Sequence, residues 1–172
     1  MEFRNAWQEL VLADGPLPFV LIDAAGLPRG AEGLPHAIFS EIECLFVGDL
    51  ADELIDVAPY LGRLARLDDA AERAMAALFK ADAAILALST DASLLFSQLH
   101  RHLRKFNVVY APDGAPLFFR YYDPRIVQDV LHTLEPDQRK AFFGPIESLL
   151  LPDAAGGVVR CHARNGELST RA

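Results

Sequence analysis

Between His100 and Arg125 the chain sets a basic run, a tight turn and an aromatic strand one after another. No single regular element can hold all three. Five of the six positions from His100 to Lys105 can carry positive charge, Leu103 being the exception. Phe106–Ala111 and Leu117–Tyr122 then read as two strands around Pro112-Asp113-Gly114, where proline pre-sets φ and glycine accepts a positive value. Asp123-Pro124 follows as an N-cap and a first-turn proline, so a helix starts at once. The segment is therefore a helix end, a hairpin and a helix start. That reads as a recognition platform and not as a catalytic centre.

Bulk properties narrow the setting. A chain of 172 residues fits one domain and can bury roughly 70% of its unfolded surface. With 52% hydrophobic and 23% charged residues, disorder is excluded as the dominant state. The net charge of −8 and pI near 5.0 argue against generic nucleic-acid binding, which needs a phosphate-neutralising surface. The basic run at 100–105 is a local exception, either a solvated helix end or a place where a partner docks. Two cysteines, Cys44 and Cys161, make no disulfide framework and fit a reducing compartment; Cys44 reads as a small core residue. The start, Met1-Glu2-Phe3-Arg4-Asn5, lacks the order of a signal peptide, and Ala83–Leu88 is too short to cross a membrane. A cytoplasmic protein without membrane or nucleic-acid partners is expected.

Along the chain, helical and extended patterns alternate. Trp7–Leu12 finishes an N-terminal helix that Asp14-Gly15-Pro16 breaks. Phe19–Asp23 reads as a buried strand, Gly26–Pro35 as a loop and Cys44–Val47 as a second strand. Asp49 can cap a short helix with Leu50, Leu54 and Val57, which Pro59 ends. Asp68–Lys80 is an alanine-rich helix with an acidic start and a basic end. Ala83–Leu88 is an apolar strand. Thr90 or Asp91 caps the next helix, with Leu95, Leu99 and Leu103 on one face. After the hairpin, a helix from Pro124 places Ile126, Val127, Val130, Leu131 and Leu134 on one side. Pro136 opens another short helix, ended by Gly144-Pro145. The expected fold is α/β, a central mixed sheet with one antiparallel hairpin, covered by helices. Residues 1–152 form a single domain in this reading, and 153–172 a weakly ordered C-terminal segment.

Motifs for nucleophilic, metal or phosphate chemistry (GxSxG, HExxH, GxGxxG, the P-loop) do not occur. His100 and His102 are two apart and cannot share a helix face, and Cys161-His162 has no second pair at zinc spacing. No metal or cofactor is expected, and no enzyme activity. Asp68-Asp69 and Asp52-Glu53 stand where helix starts favour negative charge. In Leu117–Tyr122, strand alternation puts Phe118, Arg120 and Tyr122 on one face. Arg120 is then either paired with a carboxylate, Asp23 or Asp123, or presented to a ligand by its planar fork.

Several blocks together carry a resemblance. They are Leu21-Ile22-Asp23-Ala24, Cys44-Leu45-Phe46-Val47-Gly48-Asp49-Leu50, Val57-Ala58-Pro59-Tyr60-Leu61 and His102-Leu103-Arg104-Lys105-Phe106. Asp113-Gly114, Phe119-Arg120-Tyr121-Tyr122-Asp123-Pro124-Arg125 and Phe142-Phe143-Gly144-Pro145 continue them. Over roughly residues 19–146 the chain resembles the bacterial type VI secretion adaptor proteins (domain of unknown function 4123). The resemblance implies a cytoplasmic adaptor or chaperone that binds a toxic effector and helps load it onto the VgrG spike protein. It singles out Asp23, Pro59, Tyr60, Leu61, His102, Leu103, Arg104, Arg120, Tyr122, Asp123, Pro124 and Arg125, of which Pro59, Asp123 and Pro124 also serve as helix boundaries. A glycine–tryptophan element frequent in that family is replaced here by Lys80-Ala81-Asp82.

The charge contrast points to a partner-binding surface of His100, Arg101, His102, Arg104, Lys105, Arg120, Tyr121, Tyr122 and Arg125. An apolar groove taking a helix or strand of the effector is the other docking mode. Two further functions stay open. One is an immunity or regulatory protein that blocks a toxin; the other is a small cleft enzyme using Arg120, Asp123 and His102.

Overall fold

Phe19–Asp23 is buried at all five positions. A strand with no exposed face must be covered on both sides, so it belongs in the middle of a sheet between two helical layers. A computed structural model places it there. The structure describes residues 1–172 apart from Thr90, Pro112, Ala154 and Ala172, and apart from the side chains of Asp49 and Leu50.

In chain order the strands are β1 (Phe19–Asp23), β2 (Phe39–Cys44), β3 (Pro59–Leu64), β4 (Ala84–Leu88), β5 (Val108–Tyr110), β6 (Pro116–Phe118), β7 (Ser148–Pro152), β8 (Val158–Arg164) and β9 (Glu167–Arg171). The helices are α1 (Phe3–Ala13), α2 (Asp49–Glu53), α3 (Asp69–Lys80), α4 (Phe96–Arg104), α5 (Pro124–Thr133) and α6 (Pro136–Phe143). Seven strands form one sheet in the order β2-β3-β1-β4-β7-β8-β9; β5 and β6 pair only with each other. Every described ladder is antiparallel. Because β3 and β4 flank β1 on opposite sides, they run in the same direction. Helix α3 therefore carries the chain across β1.

The sheet divides two cores. On one side Val20, Ile22, Leu64, Ala84 and Leu86 pack with Trp7 of α1 and Met75 and Phe79 of α3. On the other, Leu21, Leu61 and Ile85 pack with Leu99 and Leu103 of α4, Val127 and Leu131 of α5, and Phe142 of α6. Each fully buried valine, leucine, isoleucine, phenylalanine or methionine among these contributes about 1.5–3 kcal/mol through lost apolar exposure. The α3 start matches its sequence signal: the Asp68 carboxylate accepts the Ala71 N–H at 2.9 Å.

The α/β class with one separate hairpin is as expected, and β1 has the expected bounds, but the central sheet expected to be mixed is antiparallel in every described ladder. Other elements differ. The second strand is Phe39–Cys44 and stops where Cys44–Val47 was read as a strand; Leu45 and Phe46 are buried beyond its end. Cys44 is half-buried, because β2 lies at the sheet edge. Pro59 does end a helical stretch, yet it is also the first residue of β3, the place where a strand tolerates the missing N–H. Asp91 accepts bonds from Ser93 and does not cap α4, which begins at Phe96. Leu95 precedes α4 and is exposed, whereas Phe96, Leu99 and Leu103 form the buried face. The alternative cap Thr90, the turn residue Pro112 and the capping side chain of Asp49 lie outside the described residues.

The largest difference is at the C-terminus. Residues 158–171 were expected to be weakly ordered, but they complete the sheet as β8 and β9. Val158 and Cys161 are buried, on opposite faces. Asn165 and Gly166 both take positive φ, 53° and 84°, as a two-residue type I′ hairpin turn requires. Among the described residues no helix is long and apolar enough to cross a membrane.

Candidate partner-binding site

Helix α4 leads into the site, and its basic face is narrower than its composition suggests. His100 directs Nε2 to the Cys44 carbonyl at 2.9 Å, with the Glu43 carboxylate at 3.7 Å. His102 directs Nε2 to the Phe142 carbonyl at 2.7 Å. A carbonyl only accepts, so each histidine donates from a protonated Nε2. Burial lowers the His102 pKa; the Lys105 charge lowers it too, and the bond to Phe142 opposes them. Both rings are tied into the fold. Arg101, Arg104 and Lys105 remain exposed.

The hairpin starts three residues after Lys105. Its base is held by Asn107, whose side chain donates to the Leu45 carbonyl at 2.7 Å and accepts the Tyr121 hydroxyl at 3.0 Å. Its tip is an Asx turn in which Asp113 accepts the Ala115 N–H at 3.0 Å, with Gly114 at φ 84°. Between base and tip, Val108, Val109, Tyr110, Pro116, Leu117 and Phe118 are all exposed. Phe118 rests against Phe46, ring centroids 6.0 Å apart, and Val47 beside it is also exposed. Every strand position of this small sheet is apolar or aromatic. Among the described residues most of this surface is left uncovered, the kind of exposed apolar patch that marks a candidate binding site.

After Phe118 the chain leaves the strand, so the expected alternation through Tyr122 stops. Phe119 is instead drawn inward, and Tyr121 and Tyr122 sit in the core, the first fully buried. Burial raises the pKa of both tyrosines. Neither ring is placed to meet a partner, contrary to the sequence expectation.

Arg120 takes the paired alternative. Its Nη2 lies 2.7 Å from Asp23 Oδ2 and 3.3 Å from Asp123 Oδ2. Arg125 grips Asp123 with two parallel bonds of 2.8 Å, Nε to Oδ1 and Nη2 to Oδ2. Asp23 also accepts the Ala25 N–H, and Asp123 the Arg125 N–H, both at 3.1 Å. The two carboxylates are buried, while Arg120 and Arg125 keep 40% and 55% of their side chains exposed. Burial alone would push Asp123 up; the bonds and charges of Arg125 and Arg120 outweigh it and hold the carboxyl below the usual range. The same bonds raise the Arg125 pKa.

This four-residue clasp joins the end of β1 to the start of α5. Nearby, Pro59 pairs with Asp23 across the sheet, Tyr60 donates its hydroxyl to the Ile55 carbonyl at 3.1 Å, and Leu61 is fully buried opposite Leu21. Pro124 is buried at the first turn of α5. Asp23, Pro59, Tyr60, Leu61, Asp123 and Pro124 thus surround one corner of the fold. The exposed residues that the sequence reading did not single out are Val47, Val108, Val109, Tyr110, Leu117 and Phe118. Their signal was a pair of short strands apolar on both faces.

No curated protein and no solved structure matches the chain. The family described as Domain of unknown function (DUF4123) matches residues 18–141. That span holds the whole clasp, α4 and the hairpin, and it covers well over half of the chain. The chain belongs to this family.

Proposed function

We propose that the protein is a cytoplasmic adaptor that binds a type VI secretion effector and promotes its loading onto the VgrG spike. It acts by binding and not by catalysis. The effector docks on the hairpin β5–β6 and on the neighbouring basic end of α4. The observation that supports this reading most is the hairpin itself, in which all six strand residues are apolar or aromatic and exposed. Arg101, Arg104 and Lys105 add a cationic rim to an acidic protein, suited to steering a partner of opposite charge. Membership of the family adds the resemblance described above.

The test is capture of partners from the native bacterium by the tagged chain, read by mass spectrometry, beside a Val109→Glu/Phe118→Glu variant. Recovery of an effector and a spike protein by the parent, with loss of the effector by the folded variant, is expected. Capture of a toxin alone, whose activity the chain suppresses, would move the protein to the immunity class. Equal effector recovery by parent and variant would overturn the hairpin as the docking surface.

A further inference from the structure

The C-terminal hairpin carries an arrangement that nothing so far accounts for. Arg160 and Arg171 are direct cross-strand partners of β8 and β9. Residues directly opposite in an antiparallel pair project to the same face with Cβ atoms about 5 Å apart, and like charges there repel. Arg164 lies four residues along from Arg160 and so shares that face. Glu167 stands across from Arg164 and offsets it. The uncompensated charge is therefore at the Arg160–Arg171 end.

That end opens into a cleft of about 980 Å³ between α1 and the face of β8–β9, lined by Glu9, Glu147, Arg160, His162, Arg164 and Arg171 among others. Arg160 reaches only one carboxylate among the described residues, Glu9, at 3.9 Å. Its Nε is buried and has no hydrogen-bond partner among the described residues. A buried donor without a partner destabilises the fold. The opposed arginine adds to that cost. Two features that each destabilise the empty sheet thus meet beside one cleft, and an anion there relieves the repulsion between the two guanidinium groups.

We propose that the cleft binds a phosphate-bearing small ligand, with the phosphate seated between Arg160 and Arg171. One guanidinium fork satisfies a planar carboxylate, whereas a tetrahedral dianion accepts from two opposed forks at once. The cleft exceeds a single phosphate and leaves room for the organic part of a ligand of nucleotide size. Arg160 and Arg171 lie outside residues 18–141, although Pro18, Leu67, Leu88 and Ser89 of that span also line the cleft; phosphate binding by the two arginines does not depend on the adaptor reading.

The test is calorimetric titration of the full chain with inorganic phosphate, pyrophosphate and adenosine 5′-monophosphate at constant ionic strength, with a hexaglutamate peptide as the competing chemistry. Binding of a phosphate compound is expected, with at least about tenfold weaker affinity in Arg160→Gln and in Arg171→Gln. Tighter binding of the nucleotide than of free phosphate assigns the organic part to the cleft; tighter pyrophosphate assigns an inorganic ligand. Without ligand, Arg171→Gln should melt at the same or a higher temperature, because it removes repulsion. No phosphate binding, unchanged affinity in both variants, binding of the peptide alone, or a lower ligand-free melting temperature for Arg171→Gln would each overturn the proposal.

Discussion

Two adjoining stretches of the same segment treat polarity in opposite ways. Val108–Tyr110 and Pro116–Phe118 hold apolar side chains in water, and residues 119–125 hold charged groups against the core. The hairpin is cheap to alter for the fold, since its strand residues bury little. The clasp is not, since removing one member strands a buried charge. The contrast separates a buried ionic scaffold from an open apolar surface. It also shows that the most distinctive sequence block, Phe119-Arg120-Tyr121-Tyr122-Asp123-Pro124-Arg125, belongs mainly to the scaffold.

Asp123→Ala is the sharpest way to break the clasp. It removes the α5 cap, the bidentate partner of Arg125 and one of the two carboxylates beside Arg120, and urea denaturation should record a loss on the order of 3 kcal/mol. If the loss stays below about 0.5 kcal/mol, the clasp is not what holds this corner. Val109→Glu with Phe118→Glu should do the reverse: an unchanged urea midpoint, but at least about tenfold weaker effector binding in a pull-down titration. Tyr121→Phe keeps the buried ring and deletes only the bond to Asn107, so about 1 kcal/mol of stability should be lost. Reversing Arg101, Arg104 and Lys105 to Glu should slow effector association severalfold at low salt and much less at high salt. Equal slowing at both salts would remove the cationic rim from the docking surface.

The smallest effect concerns pH. His102 has a folded pKa below the ordinary value, with burial as the leading cause. As pH falls through about 6.5 the unfolded chain takes up a proton that the folded chain resists, so stability falls. His102→Gln should show a shallower decline between pH 7.5 and 5.5 than the parent chain. Identical slopes would mean that the bond to Phe142 compensates for burial.

What the sequence disclosed follows the strength of local signals. Phe19–Asp23, Asp69–Lys80 and the start of α5 were legible because an uninterrupted apolar run or a capping aspartate states its own role. The paired role of Arg120 was one of two open alternatives, and only the fold brings Asp23 within 2.7 Å of it. β3 was hidden because Pro59 reads as the end of a helix. Gly62 is demanded by packing, since a Cβ there would lie 2.7 Å from the Phe39 ring. β2 was misplaced because an edge strand with Ser40, Glu41 and Glu43 looks polar, whereas buried Leu45 and Phe46 beyond it look like a strand. In the C-terminal segment Asn165-Gly166 was a hairpin signal overlooked beside the Gly156-Gly157 pair.

The order of the strands carries a practical consequence for anyone shortening this protein. The matched span ends at residue 141, before β7 pairs with β4. A version trimmed to that boundary would leave Ala84-Ile85-Leu86-Ala87-Leu88 with one side of its backbone unpaired. Five uncharged residues in an open, extended row are a template for chain-to-chain association. The trimmed protein should precipitate or form insoluble assemblies, even though it would keep all four clasp residues and both strands of the β5–β6 hairpin in its sequence.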